Sequence, residues 1–171
     1  MGTLRRVNEA FSATASLAAT SSAVVPKTIL VVDDRSDDVE LLTLMLRRAR
    51  VRNRVEAVHS MTDGIAYLSG QGIYADRDRY AAPTLLLLDL HLPDGSGLDI
   101  LRWIRSHRDC APVGVVVLTG SHIGQIRECY DLGAHSFLVK PLKFSDFQNM
   151  IDHVRGVKVA CTSEGYLMDV E

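Results

Sequence analysis

Five polar side chains close apolar runs in this sequence. Asp33 and Asp34 end KTILVVDD (Lys27–Asp34). Asp89 ends the four leucines of LLLLDLHLPDGSG (Leu85–Gly97), Thr119 stands in VVVLTGS (Val115–Ser121), and Lys140 follows SFLV (Ser136–Val139). If these run ends meet, three carboxylates converge, and like charges at contact raise one another's pKa unless a cation intervenes. A hard dication that prefers oxygen ligands resolves the conflict, and Mg²⁺ does so with few carboxylates and several waters. A lysine and a hydroxyl facing such an ion match the other oxygens of a phosphoryl group. The chemistry implied is phosphoryl transfer onto a carboxylate, with covalent capture at Asp89. For Asp89 alone the plainer alternative is a strand-end Asp capping the next helix.

The elements that must carry these residues follow from periodicity. The leucines of Leu85–Leu88 and the valines of Val115–Val117 read as strands buried on both faces, the pattern of central parallel strands. KTILVVDD, Arg54–His59 and SFLV supply three more strands. Between them lie amphipathic stretches. Val39, Leu42, Met45 and Leu46 form one stripe, widened by Leu41 and Leu44, with Asp37 placed to cap it. Ile65, Tyr67 and Leu68 form a second behind a Ser60/Asp63 cap, ended by Gly70-Gln71-Gly72. Leu98, Leu101, Trp103 and Ile104 mark a third, and Ile123–Leu132, stopped by Gly133, is the fourth. The last has a Ser145/Gln148 capping box, Phe147, Ile151 and Val154 inward, and Gly156 as its stop. Five strand–helix units in alternation predict an α/β, flavodoxin-like, doubly wound parallel sheet of order 2-1-3-4-5 with helices on both faces. Parallel strands bring their carboxyl ends to one edge, so the five polar residues meet there.

The remaining stretches frame that domain. Residues 1–27 are rich in Ala, Ser and Thr and are expected to be a flexible tail; their apolar run is a poor signal peptide. The domain that carries the chemistry spans 28–156, and 157–171 reads as a C-terminal tail or packing arm. Tyr74–Pro83 is a polar connection, longer than most helix-to-strand loops. Five arginines in RRARVRNR (Arg47–Arg54) read as a solvated helix end rather than a phosphate patch.

Composition excludes several classes. A length of 171 residues with 47% hydrophobic and 23% charged residues suits one globular domain with tails. A formal charge of −2 gives no reason to expect nucleic-acid binding. No apolar run approaches the ~20 residues needed to cross a bilayer. Cys110, Cys129 and Cys161 are odd in number and without CxxC spacing, which favours a reducing, cytoplasmic compartment over a disulfide framework. His59, His107, His122, His135 and His153 lack ligand spacing, so no zinc site is expected.

Taken together, VVDD, LLLLDLHLPDGSG, VVVLTGS and GAHSFLVKP, in this order and spacing, resemble the receiver domain of two-component response regulators. The details DDRSDDVELL and CYDLGAHSFLVKP are similar to the single-domain, phytochrome-associated branch. The resemblance implies that Asp89 accepts phosphate from a sensor histidine kinase, of phytochrome type in that branch, or from a histidine phosphotransfer protein. It implies Mg²⁺ bound by Asp34, Asp89 and the His91 backbone carbonyl, with Asp33 acting mainly through water. Thr119 and Lys140 would hold phosphoryl oxygens, and Lys140-Pro141 would be cis. Phe137 takes the place of a switch aromatic that moves inward with Thr119, although an aromatic in a strand is also ordinary core. Gly120 would keep access to the acyl phosphate open. The His91 side chain, two places after the acceptor, either lies near the path of hydrolytic water or is a surface histidine.

On this reading the protein is a stand-alone phospho-acceptor, not an enzyme beyond its own phosphorylation and dephosphorylation. With no output domain expected after Gly156, it would signal by contact or by a homodimer through the fourth helix, fifth strand and fifth helix. Two rivals remain at this point. One is a receiver-like scaffold that is never phosphorylated. The other is an aspartyl-phosphate phosphatase of the haloacid dehalogenase type, disfavoured because His91 stands where a second acid is needed.

Overall fold

In the computed structural model, residues 27–107, 113–120, 123–153, 157–162 and 165–170 are described. The N-terminal stretch 1–26, Cys110, Pro112, His122, Val154 and Gly156 lie outside them, and so do the expectations attached to those residues. Five parallel strands form one sheet: β1 (Thr28–Val32), β2 (Arg54–Val58), β3 (Pro83–Asp89), β6 (Gly114–Thr119) and β7 (Ser136–Val139). Their order is β2-β1-β3-β6-β7, which is the expected 2-1-3-4-5 among the parallel strands. Helices α1 (Ser36–Arg48), α2 (Met61–Ser69), α3 (Gly97–Ser106), α4 (Ile123–Asp131) and α5 (Phe144–His153) make the crossovers.

Alternation along the strands divides the core in two. Ile29, Val31, Leu85, Leu87, Val116 and Leu118 pack on one face with Leu42 and Leu46 of α1 and Phe147 and Ile151 of α5. Leu30, Val32, Leu86, Leu88, Val115 and Val117 pack on the other with α2 and α3 residues Tyr67, Leu68, Ile100 and Leu101. Every residue of β1, β3 and β6 is buried. A strand of leucines can therefore carry a carboxylate out of the core only at its end.

Local chemistry departs from expectation at several points. Asp37 does not cap α1. The Asp33 carboxylate instead accepts from Arg35 N at 3.0 Å, an Asx turn that starts the helix at Ser36 and leaves Asp37 in the first turn. Leu44 does not widen the apolar stripe; it is 63% exposed. Ser145 and Gln148 form no capping box. The helix begins a residue earlier at Phe144, whose ring packs on the core beneath the Arg48 guanidinium, so Ser145 falls inside the first turn. Ser60 does cap α2, accepting from Asp63 N, and Gly70 ends it at φ +67°.

The connection before β3 has its own small core. A 3₁₀ turn (Gly72–Ala75) brings Tyr74 and Tyr80 against Tyr67, while Arg77 donates to the Tyr67, Leu68 and Tyr80 carbonyls and so satisfies the last turn of α2. Two short antiparallel strands, β4 (His91–Leu92) and β5 (Gly95–Ser96), follow β3. Finally, β8 (Val157–Thr162) and β9 (Gly165–Val170) form an antiparallel hairpin, where the sequence reads as a tail or packing arm without strands of its own. It returns to the amino-terminal ends of the parallel strands, with Met168 buried among Ile29, Leu85 and Leu46.

Candidate functional site

The register sets the strand ends level. Val32 pairs with Leu88, Asp89 with Leu118 and Thr119 with Val139, so the residues that follow emerge side by side. Asp33 is fully buried, Asp89 is buried and Asp34 is exposed, and carboxylate oxygens of the three lie within 4.8 Å of one another. Among the described residues no other group of histidines, cysteines or acids gathers in this way. His59, His107 and His153 bond instead to backbone or stack on a ring, as surface histidines do.

Lys140 reaches into the acidic group. Its Nζ donates to Asp33 Oδ2 at 2.8 Å, Asp38 Oδ2 at 2.9 Å and Asp89 Oδ2 at 2.5 Å. Burial alone would discharge this lysine, but hydrogen bonds to Asp33, Asp38 and Asp89 outweigh it and hold its pKa above the ordinary value. At Asp33 burial prevails instead: it raises the pKa, and the bonds from Lys140 and Arg35 N only partly offset this. The Lys140-Pro141 bond is cis, and Lys140 N donates to Thr119 O at 2.7 Å, tying the two strand ends together.

Thr119 is fully buried, and its Oγ1 has no hydrogen-bond partner among the described residues. A buried hydroxyl left unpaired costs free energy, so this one is available to donate to an incoming oxygen. A Cβ added at Gly120 would meet nothing within 4 Å among the described residues.

The loop after β3 is held from two sides. His91 N donates to Asp89 Oδ1 at 3.0 Å, while the His91 ring Nδ1 stands 3.9 Å from the same oxygen with its side chain 64% exposed. Asp94 accepts from Met61 N, Thr62 N and Thr62 Oγ1, fastening the β4–β5 turn to the start of α2. A Cβ on Gly97 would fall 2.3 Å from Asp89 O, so only glycine lets α3 begin this close to the end of β3.

Phe137 is not core. It is 37% exposed and lies edge-on to Tyr130, centroids 6.2 Å apart at 83°. With Val139, 42% exposed, the two rings form an apolar strip on the β7 edge.

Sequence reasoning placed Asp33, Asp34, Asp89, Thr119 and Lys140 at one edge, and the structure brings them together there. It missed Asp38. The available signal was the repeated acidic doublet of DDRSDD, whose second member returns to the strand end after one helical turn.

Residues 29–152 match the family described as response regulator receiver domain. Response regulator Rcp1 of Synechocystis is 31% identical over 130 residues, covering 75% of this chain and 86% of that protein. A structure of its Mn(2+)-bound form aligns with a TM-score of 0.63 at 31% identity, over 74% of this chain and 89% of that one. The bacteriophytochrome response regulator RtBRR aligns with a TM-score of 0.72 at 33% identity, over 81% of this chain and 82% of that one. The phosphorylated cyanobacterial phytochrome response regulator RcpA aligns with a TM-score of 0.63 at 31% identity, over 73% and 88%. Matched over most of its length, and with acids, hydroxyl and lysine at one sheet edge, the chain belongs to the response regulator receiver family of two-component signalling.

Proposed function

We propose that Asp89 is the phospho-acceptor and that the receiver works as a phosphorylation switch rather than as an enzyme with a turnover substrate. The observation that carries this reading is Lys140 Nζ bonded to Asp89 beside two further carboxylates, with Thr119, whose buried hydroxyl has no partner among the described residues, at the end of the adjacent strand.

Asp33, Asp34 and Asp89 offer close-set oxygen donors that fit a hard dication, and the family likeness adds the main-chain carbonyl of His91, two residues after Asp89. Bound there, Mg²⁺ would neutralise charge on the transferring group. The chain's own residues do the rest. An Asp89 oxygen forms a P–O bond as the P–N bond of a donor phosphohistidine breaks, leaving the electron pair on the donor imidazole. Lys140 stays charged throughout and meets one phosphoryl oxygen; Thr119 Oγ1 donates to another. Thr119 is drawn toward the phosphate, and Phe137 follows it inward from its place against Tyr130.

The donor is a sensor histidine kinase or phosphotransfer protein, and the likeness to phytochrome response regulators favours a phytochrome-type kinase. The Tyr130, Phe137 and Val139 strip on α4 and β7, with the neighbouring α5, is the face for a target or a second copy. No described helix is long and apolar enough to cross a membrane, in keeping with a cytoplasmic protein.

The test is phosphorylation by acetyl phosphate, with and without Mg²⁺, followed by phosphate-affinity gel for wild type and Asp89→Asn. A shifted band that needs Mg²⁺ and vanishes in the variant supports the reading. A wild type left unmodified by acetyl phosphate and by candidate kinases overturns it in favour of a constitutive docking protein.

A further inference from the structure

We infer that Asp38 is a positioning residue for phosphoryl transfer: it anchors the Lys140 ammonium from outside the reacting group. This rests on Asp89 being the acceptor. A lysine ammonium has three donors and a flexible stem, and here the three carboxylates of Asp33, Asp38 and Asp89 take it up at 2.5–2.9 Å. Two of these are needed elsewhere once the reaction proceeds. Asp89 exchanges a carboxylate for an acyl phosphate, and Asp33 faces the cation. Were they its only partners, Lys140 would lose its hold as the phosphoryl group arrives.

Asp38 takes no part in that exchange. It sits in the first turn of α1, its own N–H bonded to Arg35 O, on a helix pinned to the core by Leu42, Met45 and Leu46. Its side chain is only 18% exposed, and so is out of bulk water together with that of Lys140 at 17%. The other cation near it, Arg35, is 3.7 Å away and 65% exposed, a weak pairing beside the 2.9 Å bond to Lys140. Asp38 therefore leaves one donor of Lys140 fixed while the other two turn to the phosphoryl oxygens.

A double-mutant cycle tests this. Asp38→Asn and Asp38→Ala are made in wild type and in Lys140→Met, and the initial rate of Asp89 phosphorylation by acetyl phosphate is measured at saturating Mg²⁺. The same cycle on affinity for fluoroberyllate with Mg²⁺, which needs no turnover, covers any variant too slow to time. Circular dichroism melts establish that each variant is folded. Asp38→Asn should slow phosphorylation about tenfold when Lys140 is present and less than twofold in Lys140→Met, as expected for loss of orientation of one group. Equal losses in both backgrounds, or no loss in either, overturn the role while leaving Asp89 as acceptor. A wild type that takes no phosphate and binds no fluoroberyllate removes the acceptor reading and this role together.

Discussion

Asn53 grips the main chain of Met168 across 115 residues: its Nδ2 donates to Met168 O at 2.9 Å, and its Oδ1 accepts from Met168 N at 2.8 Å. The same Nδ2 donates to Lys27 O at 2.8 Å, so one buried amide joins β9 to the start of β1. Removing it leaves buried backbone groups unpaired. Asn53→Ala should cost about 1–3 kcal/mol in urea unfolding. In hydrogen exchange, β8 and β9 should open before the parallel strands. A hairpin as protected as in wild type would mean that the amide holds nothing.

Asp94 ties the acceptor loop to α2, and hydrogen bonds from the Thr62 hydroxyl and the Thr62 and Met61 N–H groups hold its pKa below the ordinary carboxylate value. A depressed carboxylate pKa means that this stabilisation is complete above the ordinary value and is lost as pH falls through the lower, folded-state value. Asp94→Ala should cost about 1 kcal/mol at neutral pH, as for a lost helix cap. Its melting temperature should converge with that of wild type only in strong acid.

His135 responds in the mildly acidic range. Its Nδ1 accepts from Val115 N at 3.0 Å, and burial lowers its pKa. Protonation would set one N–H against another. The neutral ring's contribution is therefore whole above the ordinary histidine value and lost as pH falls below it. His135→Gln, which keeps an acceptor, should flatten the fall in melting temperature between neutral pH and pH 5 relative to wild type. An unchanged slope would assign the pH dependence to other histidines.

Gly97 tests the fit between α3 and the acceptor. Because a Cβ would lie against Asp89 O and Leu90 Cα, both main-chain atoms, Gly97→Ala must move the strand end. We expect about 1–3 kcal/mol of destabilisation. Acetyl-phosphate labelling of Asp89 should slow by up to about 10²-fold in protein that remains folded, the penalty for a misplaced reacting group. Full-rate labelling would show that α3 yields instead.

Much of this was legible in the residues. Leu85–Leu88 and Val115–Val117 announced buried parallel strands, and parallel strands oblige Asp33, Asp34, Asp89, Thr119 and Lys140 to share an edge. What escaped depended on side chains meeting across distance. Asp38 reads as one more helix-start acid until β7 brings Lys140 to it. Asp37 is no cap because the helix already starts at Ser36, directly after the turn in which Asp33 accepts from Arg35 N. The 157–162 and 165–170 segments carry no strong alternation, and their pairing depends on Asn53 and the sheet they return to.

The burial of the strands also has a mechanical meaning. β1 and β3 are enclosed on every side, whereas β7 has one neighbour and keeps Phe137 and Val139 at the surface. Burial thus falls from the centre of the sheet to its two margins, β2 and β7, and it is the β7 margin that borders Thr119 and leads into Lys140. If Asp89 is the acceptor, a chemical event at a buried strand end has the less enclosed β7 flank as its nearest outlet.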